Sequence, residues 1–327
     1  MSLLSVDNLT IGYQTKKGLL RAVDKISFRL EKGGSLGFVG ESGCGKTTIG
    51  MALMGLLPDN AEILGGHIRF QDRDLVSLTE IEWQQVRGAK IAMIFQAAMN
   101  ALNPVFPVDE QVKEAIVTHQ PDISDSDLTD RMKELFDLVD IPIGRMKNYP
   151  HEYSGGMKQR AVIAMALACN PALIIADEPT TALDVIVQDQ ILREIKTVQQ
   201  KTRTGLIFIS HDIAVVASVC EQICVMYAGQ IVETGTRKEV FKSPRHPYTR
   251  TLLGSYLSLD NLNDIQVPDM KETPDQLSDD GECRFSSSCA ACNKKCAHSS
   301  PDWIDISPTH KAFCCNPEMI RRGHGKS

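Results

Sequence analysis

The feature that most constrains the fold of this chain is a glycine-rich segment between a short apolar run, residues 36–39, and a helix-like stretch, residues 49–57. The spacing G-x-x-x-x-G-K-[ST] is met there by Gly40-Glu41-Ser42-Gly43-Cys44-Gly45-Lys46-Thr47. Glycines let backbone N–H groups point into one concavity, and the N-terminus of a following helix adds positive potential. The segment therefore predicts a phosphate-binding loop between a strand and a helix.

We expect this loop to hold the phosphates of a nucleotide. The residues predicted to bind it are Gly40, Glu41, Ser42, Gly43, Cys44, Gly45, Lys46, Thr47 and Thr48. Lys46 supplies a cation at the phosphates, and the hydroxyl of Thr47 binds Mg²⁺.

Apolar patterning predicts an α/β fold around this loop. Short, continuous, β-branched runs are typical of parallel strands covered on both faces, and they occur at residues 36–39, 91–95, 172–176 and 206–209. Alternation of apolar and polar residues predicts a mostly antiparallel β region, and it occurs at residues 4–11, 22–30 and 67–70. Residues 97–153 have helical spacing, with Leu128, Met132, Leu135, Phe136 and Val139 on one face. They predict an inserted helical subdomain.

Composition excludes several classes of protein. The chain has 327 residues, of which 43% are hydrophobic and 23% are charged, so it is neither disordered nor fibrous. Its net charge of -6 argues against a nucleic-acid-binding protein. No apolar run reaches the roughly 20 residues that a membrane span needs. The first residues lack the pattern of a secretory signal, so we expect a cytoplasmic protein whose ten cysteines are not a disulfide scaffold.

A second chemical signal is a buried strand that ends in two carboxylates. Residues 173–178 read Leu-Ile-Ile-Ala-Asp-Glu. Asp177 can bind the hydration shell of Mg²⁺, and Glu178 can orient or deprotonate the water that attacks the γ-phosphate. The pair predicts a nucleotide-hydrolysing site.

Between these two motifs, residues 153–160 read Tyr-Ser-Gly-Gly-Met-Lys-Gln-Arg. With this order and spacing the chain resembles an ABC-transporter ATPase over residues 4–255, although Tyr153 and Met157 depart from the signature Leu-Ser-Gly-Gly-Gln. The resemblance implies an ABC ATPase core over residues 1–255, with the helical subdomain at about 97–160. A small cysteine-rich extension then occupies residues 256–327.

The resemblance also implies roles for individual residues. Gln96 matches the glutamine that contacts the Mg²⁺ region and senses the membrane subunits, residues 181–184 match the D-loop, and His211 matches the switch histidine. Tyr13 stands where the family stacks an aromatic ring on adenine. The implied catalytic residues are Glu178, His211, Gln96 and Lys46, and the implied Mg²⁺ ligands are Thr47, Gln96 and Asp177.

In this family, the signature loop of one chain completes the ATP site of another chain. Ser154, Gly155, Gly156 and Asp184 are therefore expected to contact the ATP of a partner, and the working enzyme is expected to be a dimer.

Three segments, residues 99–105, 149–153 and 242–249, resemble the ATPases of oligopeptide, dipeptide and nickel importers. We interpret residues 242–249 physically as a rigid connector. The resemblance implies two multi-span membrane permease subunits, an external solute-binding protein and a second ABC ATPase subunit, either a paralogue or the same chain. It places the chain peripherally on the cytoplasmic face of the membrane and excludes nucleic acid as a partner.

The solute stays open between peptides and nickel or other metal chelates. The alternative function is a soluble ABC-type ATPase of DNA repair or translation, but such proteins usually carry a coiled-coil insertion or a second cassette.

Six cysteines cluster beyond an acidic linker at residues 260–282: Cys283, Cys289, Cys292, Cys296, Cys314 and Cys315. Thiolates bind soft ions and clusters, and the spacing alone does not identify the metal. Resemblance to the extension of dipeptide-importer ATPases implies a [4Fe-4S] cluster, with the ligands Cys283, Cys289, Cys296 and Cys314. Zinc and unmetallated thiols are the alternatives.

Overall fold

The four apolar runs predicted as buried strands are strands. They are β3 (Ser35–Val39), β6 (Ile91–Ile94), β7 (Leu173–Asp177) and β8 (Gly205–Ser210). In β3, β7 and β8 every residue is buried. β6 pairs in parallel with β7, from Ile91 opposite Leu173 to Ile94 opposite Ala176, which confirms the predicted parallel sheet.

The computed structural model describes residues 2–96, 101–181, 184–257, 281–293, 296 and 299–322. The chain forms two compact units. The first unit comprises Met1–Leu4, Leu30–Ser35 and Gln71–Phe208, and the second comprises Ser5–Arg29, Leu36–Phe70 and Ile209–Ser327. Most of the predicted linker at residues 260–282, and residues 99–100, lie outside the described residues. The predicted division at residue 255 stays a prediction.

The first unit places helices beside β6 and β7. Its elements are β5 (Arg73–Asp74), α2 (Glu80–Gln84), α3 (Val108–Val117), α4 (Asp125–Leu138), α5 (Gly155–Leu167) and α6 (Val185–Thr202). Ser124 caps α4, whose buried face contains four of the residues that predicted it: Leu128, Met132, Leu135 and Phe136. Arg131 of α4 donates to the carbonyls of Leu167 and Ala168, which satisfies backbone groups at the end of α5.

The second unit contains the predicted antiparallel region and the chain's C-terminal part. Its remaining elements are β1 (Ser2–Thr15, from residue 5), β2 (Gly18–Glu31), α1 (Lys46–Leu53), β4 (Ala61–Phe70), α7 (Ile213–Val219), β9 (Gln222–Tyr227), β10 (Gln230–Thr236), α8 (Arg237–Lys242), α9 (Pro247–Leu257), β11 (Asp302–Asp305), β12 (Lys311–Cys314) and α10 (Pro317–Arg322). A two-residue turn joins β1 to β2, so these neighbouring strands are antiparallel. β3 pairs in parallel with β9.

The C-terminal extension joins this sheet. β12 pairs with β10, with Glu233 opposite Ala312, and β11 pairs with β12. A buried ion pair adds a second connection: Arg284 contacts Asp24 of β2 at 2.7 Å, and their side chains are 10% and 12% exposed. Breaking such a pair leaves a buried charge unpaired and costs about 3–5 kcal/mol. The sheet and the ion pair thus fix the extension to the unit that carries the phosphate loop.

Within the described residues, no helix is both long enough and apolar enough to cross a membrane.

Candidate nucleotide-hydrolysis site

The predicted phosphate loop lies between β3 and α1 in the second unit. Two of its glycines leave no room for a side chain. A Cβ on Gly40 would lie 2.2 Å from the carbonyl oxygen of Met226, and one on Gly45 would lie 2.4 Å from that of Ala22. Gly45 also has a φ of 102°, which side chains disfavour. Glycine at these two positions therefore allows the backbone to approach its neighbours closely.

Lys46 is held inside this loop. Its Nζ donates to the carbonyl oxygens of Gly40 at 2.8 Å and of Glu41 at 2.7 Å, and its side chain is buried. The side chains of Ser42 and Thr47 are exposed on the same loop. Burial raises the pKa of the Cys44 thiol, against the effect of Lys46, so Cys44 packs as a neutral residue. The loop thus fixes one cation with backbone carbonyls and carries two exposed hydroxyl-bearing residues.

Tyr13, predicted to stack on adenine, lies beside this loop. Its hydroxyl is 3.3 Å from the Thr48 hydroxyl in α1. The Tyr13 side chain is half-buried.

A second tyrosine contacts the loop, and the sequence analysis missed it. The Tyr248 hydroxyl accepts a hydrogen bond from the backbone N–H of Glu41 at 3.1 Å. The sequence of residues 242–249 predicts only a connector, because a local pattern cannot identify a partner 207 residues away. Pro247 also begins α9, a position in which proline is preorganised for a helix.

The predicted catalytic carboxylate lies at the end of β7 in the first unit. Glu178 accepts hydrogen bonds at one carboxylate oxygen from Gln96 Nε2 at 3.0 Å and from the Thr181 hydroxyl at 3.1 Å. Its φ of 45° is rare for a residue with a side chain, and such backbone strain concentrates at functional sites. Asp177, the preceding residue, is buried at 2% exposure. The structure therefore brings Gln96 and Glu178 together. It also shows a contact from Thr181 to Glu178, whereas the resemblance assigns Thr181 only to the D-loop.

The predicted signature residues form the exposed start of α5. Ser154 caps the helix by accepting from the N–H of Met157 at 3.3 Å, and Ser154 and Gly155 are exposed. Tyr153, which departs from the family pattern, is buried and donates from its hydroxyl to the carbonyl of Arg145. That departure therefore serves packing, and it leaves the exposed serine and glycine unchanged.

Asp184, the last residue of the D-loop, and Asp212, which follows the predicted switch histidine His211, each cap a helix. Asp184 accepts from the N–H groups of Ile186 and Val187 and caps α6, whereas Ala182 and Leu183 lie outside the described residues. His211 is exposed in the second unit, directly after β8, and Asp212 caps α7. Capping thus fixes the backbone on which the predicted partner contact and the switch histidine lie.

The six C-terminal cysteines line one cavity in the second unit. His246, Phe285 and Met319 contribute to its wall. Burial raises the pKa of Cys289 to about 11 and that of Cys315 to about 12, so both are neutral thiols. Among the described residues, no group of three His, Cys, Asp or Glu side chains is arranged to hold a metal ion. The six thiols therefore share one cavity.

Comparison with known proteins identifies two family regions. Residues 23–181 match the ABC transporter family, and residues 232–296 match the family described as oligopeptide/dipeptide transporter, C-terminal region. The dipeptide transport ATP-binding protein DppD of Bacillus subtilis is 44% identical over 315 residues, which cover 95% of this chain and 93% of the relative. The oligopeptide transport ATP-binding protein OppD of the same organism is 44% identical, and the match covers 97% of this chain and 90% of that relative.

Among solved structures, the dimeric bacterial ABC transporter cassette MJ0796 is similar to this chain. The TM-score is 0.63 at 25% identity, over 72% of this chain and 98% of that cassette. The predicted cassette fold, an α/β core with parallel and antiparallel sheets, is thereby confirmed.

Proposed function

Since the chain belongs to the ABC-transporter ATP-binding proteins and is an ATP hydrolase of that family, we propose that it powers the uptake of dipeptides or oligopeptides. The observation that carries this proposal is the occurrence, in one chain, of the ABC region and the oligopeptide/dipeptide C-terminal region. The named relatives act in peptide transport, which favours peptides over nickel or other metal chelates as the solute. They do not favour the alternative of a soluble ATPase of DNA repair or translation.

The phosphate loop is proposed to bind ATP. Lys46 and the loop N–H groups would hold the phosphates, Thr47 and Asp177 would bind Mg²⁺ with Gln96, and Tyr13 would contact the adenine. The hydroxyl of Thr47 and the carboxylate of Asp177 are hard oxygen ligands, which fits Mg²⁺. Bound Mg²⁺ would neutralise charge that develops on the phosphates.

Glu178 is proposed to orient the attacking water and accept its proton. The hydrogen bonds from Gln96 and Thr181 occupy one of its oxygens and fix the carboxylate. His211 is proposed to sense the γ-phosphate. These roles need positioning and charge more than covalent chemistry, as expected for phosphoryl transfer.

A dimer is proposed to complete the site. Ser154, Gly155, Gly156 and Asp184 would contact the ATP of a second ABC ATPase subunit, a paralogue or a second copy. The exposure of Ser154 and Gly155 at a helix N-terminus supports this, because such a terminus favours phosphate.

The proposed complex also contains two multi-span membrane permease subunits and an external solute-binding protein. The chain itself would lie peripherally on the cytoplasmic face of the membrane. Affinity purification from detergent-solubilised membranes, followed by mass spectrometry, tests this assembly. Recovery of two multi-span subunits and a second ATPase is expected, whereas recovery only from the soluble fraction, with ribosomes, DNA or nothing, would contradict it.

The cysteine cavity is proposed to hold a [4Fe-4S] cluster on Cys283, Cys289, Cys296 and Cys314. Cysteine sulfurs around one cavity suit a cluster, which would bind them as soft thiolates. A single Zn²⁺ binds thiolates at about 2.3 Å and draws them to one point. The shared lining of one cavity by these four cysteines is the observation behind the proposal, and zinc on the same cysteines stays the alternative. When bound, the cluster would stabilise the extension, since the ATPase residues are complete without it.

Iron and labile sulfide in anaerobically purified protein test the cluster proposal. Both are expected in the wild type and lost in Cys296→Ser. Cys169→Ser serves as the control, because Cys169 is not among the residues that line the cavity. Wild-type protein that contains zinc without sulfide, or no metal, would contradict the proposal.

A further inference from the structure

The loop that binds the phosphates is held from outside by a residue of the C-terminal region. The Gly40–Glu41 peptide forms a hydrogen bond through its C=O and another through its N–H. Its carbonyl, from Gly40, accepts from Lys46 Nζ at 2.8 Å, and its N–H, from Glu41, donates to the Tyr248 hydroxyl at 3.1 Å. Because a peptide unit is planar and its C=O and N–H point in opposite directions, fixing one of them fixes the other.

Tyr248 is itself held rigidly. Its side chain is fully buried, and its ring packs against Tyr227 at 4.7 Å and Phe285 at 5.6 Å between centroids. Burial raises the pKa of Tyr248 far above its usual value, so the hydroxyl stays neutral at any physiological pH.

The backbone that carries this ring is anchored to a buried carboxylate. The N–H of Tyr248 donates to His246 Nδ1 at 3.1 Å, and the N–H of His246 donates to Glu233 at 2.8 Å. Glu233 is fully buried and also contacts His310 Nε2 at 2.7 Å. The hydroxyl therefore cannot follow a rotation of the Gly40–Glu41 peptide, so the peptide must keep its orientation to keep the bond.

We propose that Tyr248 is a positioning residue for nucleotide binding, which acts by orienting the Gly40–Glu41 peptide and, through the Gly40 carbonyl, Lys46. The residues that mark the C-terminal region would thus prepare the phosphate loop for ATP. The inference rests on the loop as the ATP site, and it does not depend on the transported solute.

Titration of the full chain with a fluorescent ATP analogue and Mg²⁺ tests this role. Tyr248→Phe keeps the ring and removes the acceptor, so the Kd is expected to rise about 5–10-fold, the worth of one hydrogen bond. The KM for ATP should rise by the same factor, while kcat at saturating ATP is unchanged, because the hydroxyl does not touch the reacting atoms.

Tyr227→Phe is the matched control. It removes a hydroxyl from the neighbouring buried ring, beside Ser288, and keeps the hydrogen bond between the Glu41 N–H and Tyr248. Its Kd is expected to stay within about twofold of the wild type, since surrounding packing is kept. An equal rise in both variants, or no rise in Tyr248→Phe, would overturn the inference.

A double-mutant cycle separates positioning from stability. In a Lys46→Ala background the Gly40 carbonyl has lost its partner, so Tyr248→Phe should raise the Kd less than about twofold further. The same rise in both backgrounds would overturn a route through Lys46. If these ATP effects are found and the chain supports no peptide uptake, the proposed transport function fails and the role of Tyr248 stands.

Discussion

The phosphate loop and the end of β7 are built in different ways. In the loop, the lysine is buried and held by backbone carbonyls, and glycines 40 and 45 allow contacts that no side chain would permit. At the end of β7, Glu178 is held by two other side chains, of which Gln96 is exposed. In the proposed site, binding would thus depend on the backbone, whereas hydrolysis would depend on a few side chains. The two properties should therefore be separable by substitution.

The largest separation is expected from Glu178→Gln. The amide cannot accept the proton of the attacking water, so turnover should fall about 10²–10⁴-fold, the usual worth of a general base. The Kd for ATP should stay within about twofold, because the phosphate loop is unchanged. Phosphate release and ATP titration measure the two effects, and wild-type turnover would remove Glu178 from the catalytic role.

Lys46→Ala should give the opposite pattern. Loss of a charged hydrogen-bond donor to phosphate is worth about 1.5–3 kcal/mol, so ATP affinity should fall about 10–100-fold. Equilibrium titration with Mg²⁺ and ATP measures it. Unchanged affinity would contradict the assignment of the phosphate site.

Gly40→Ala tests the claim that the backbone builds the loop. The new Cβ would meet the Met226 carbonyl, and such overpacking costs about 1–3 kcal/mol of unfolding free energy. Gly65→Ala is the control, because a Cβ there has open space. Urea unfolding compares the two variants, and equal stability would show that the loop tolerates a side chain.

The smallest effect is expected from Thr181→Val, which removes one hydrogen bond to Glu178. The remaining bond from Gln96 keeps the carboxylate near its position, so kcat should fall about 3–10-fold. The KM for ATP should not change. A larger rise in KM than fall in kcat would mean that Thr181 serves binding and not the orientation of Glu178.

Sequence patterns predicted the elements whose signals are local. The continuous apolar run of β7 predicts a strand buried on both faces, and the helical spacing of Leu128 and Met132 predicts a helix with one buried face. The G-x-x-x-x-G-K-[ST] spacing likewise identified the phosphate loop, since its geometry is set by its own glycines. The strand, loop and helix of this segment could therefore be predicted from the local sequence, and its role in nucleotide binding stays a prediction.

Contacts between residues far apart in the sequence could not be predicted in this way. β11 and β12 are four residues each. β12 pairs with β10, about 80 positions earlier, and β11 pairs with β12, so neither length nor periodicity identified these strands. The hydrogen bond from the Glu41 N–H to the Tyr248 hydroxyl could not be predicted for the same reason, because an aromatic residue beside proline is equally typical of a connector.

Uptake of a radiolabelled dipeptide tests the central claim most directly. In cells that depend on this chain, the wild type should restore ATP-dependent uptake. Glu178→Gln, expressed equally and bound to the membrane, should restore less than about 1% of it, in line with its loss of hydrolysis. Equal uptake with both forms would contradict the account of this chain as the ATPase that powers peptide import.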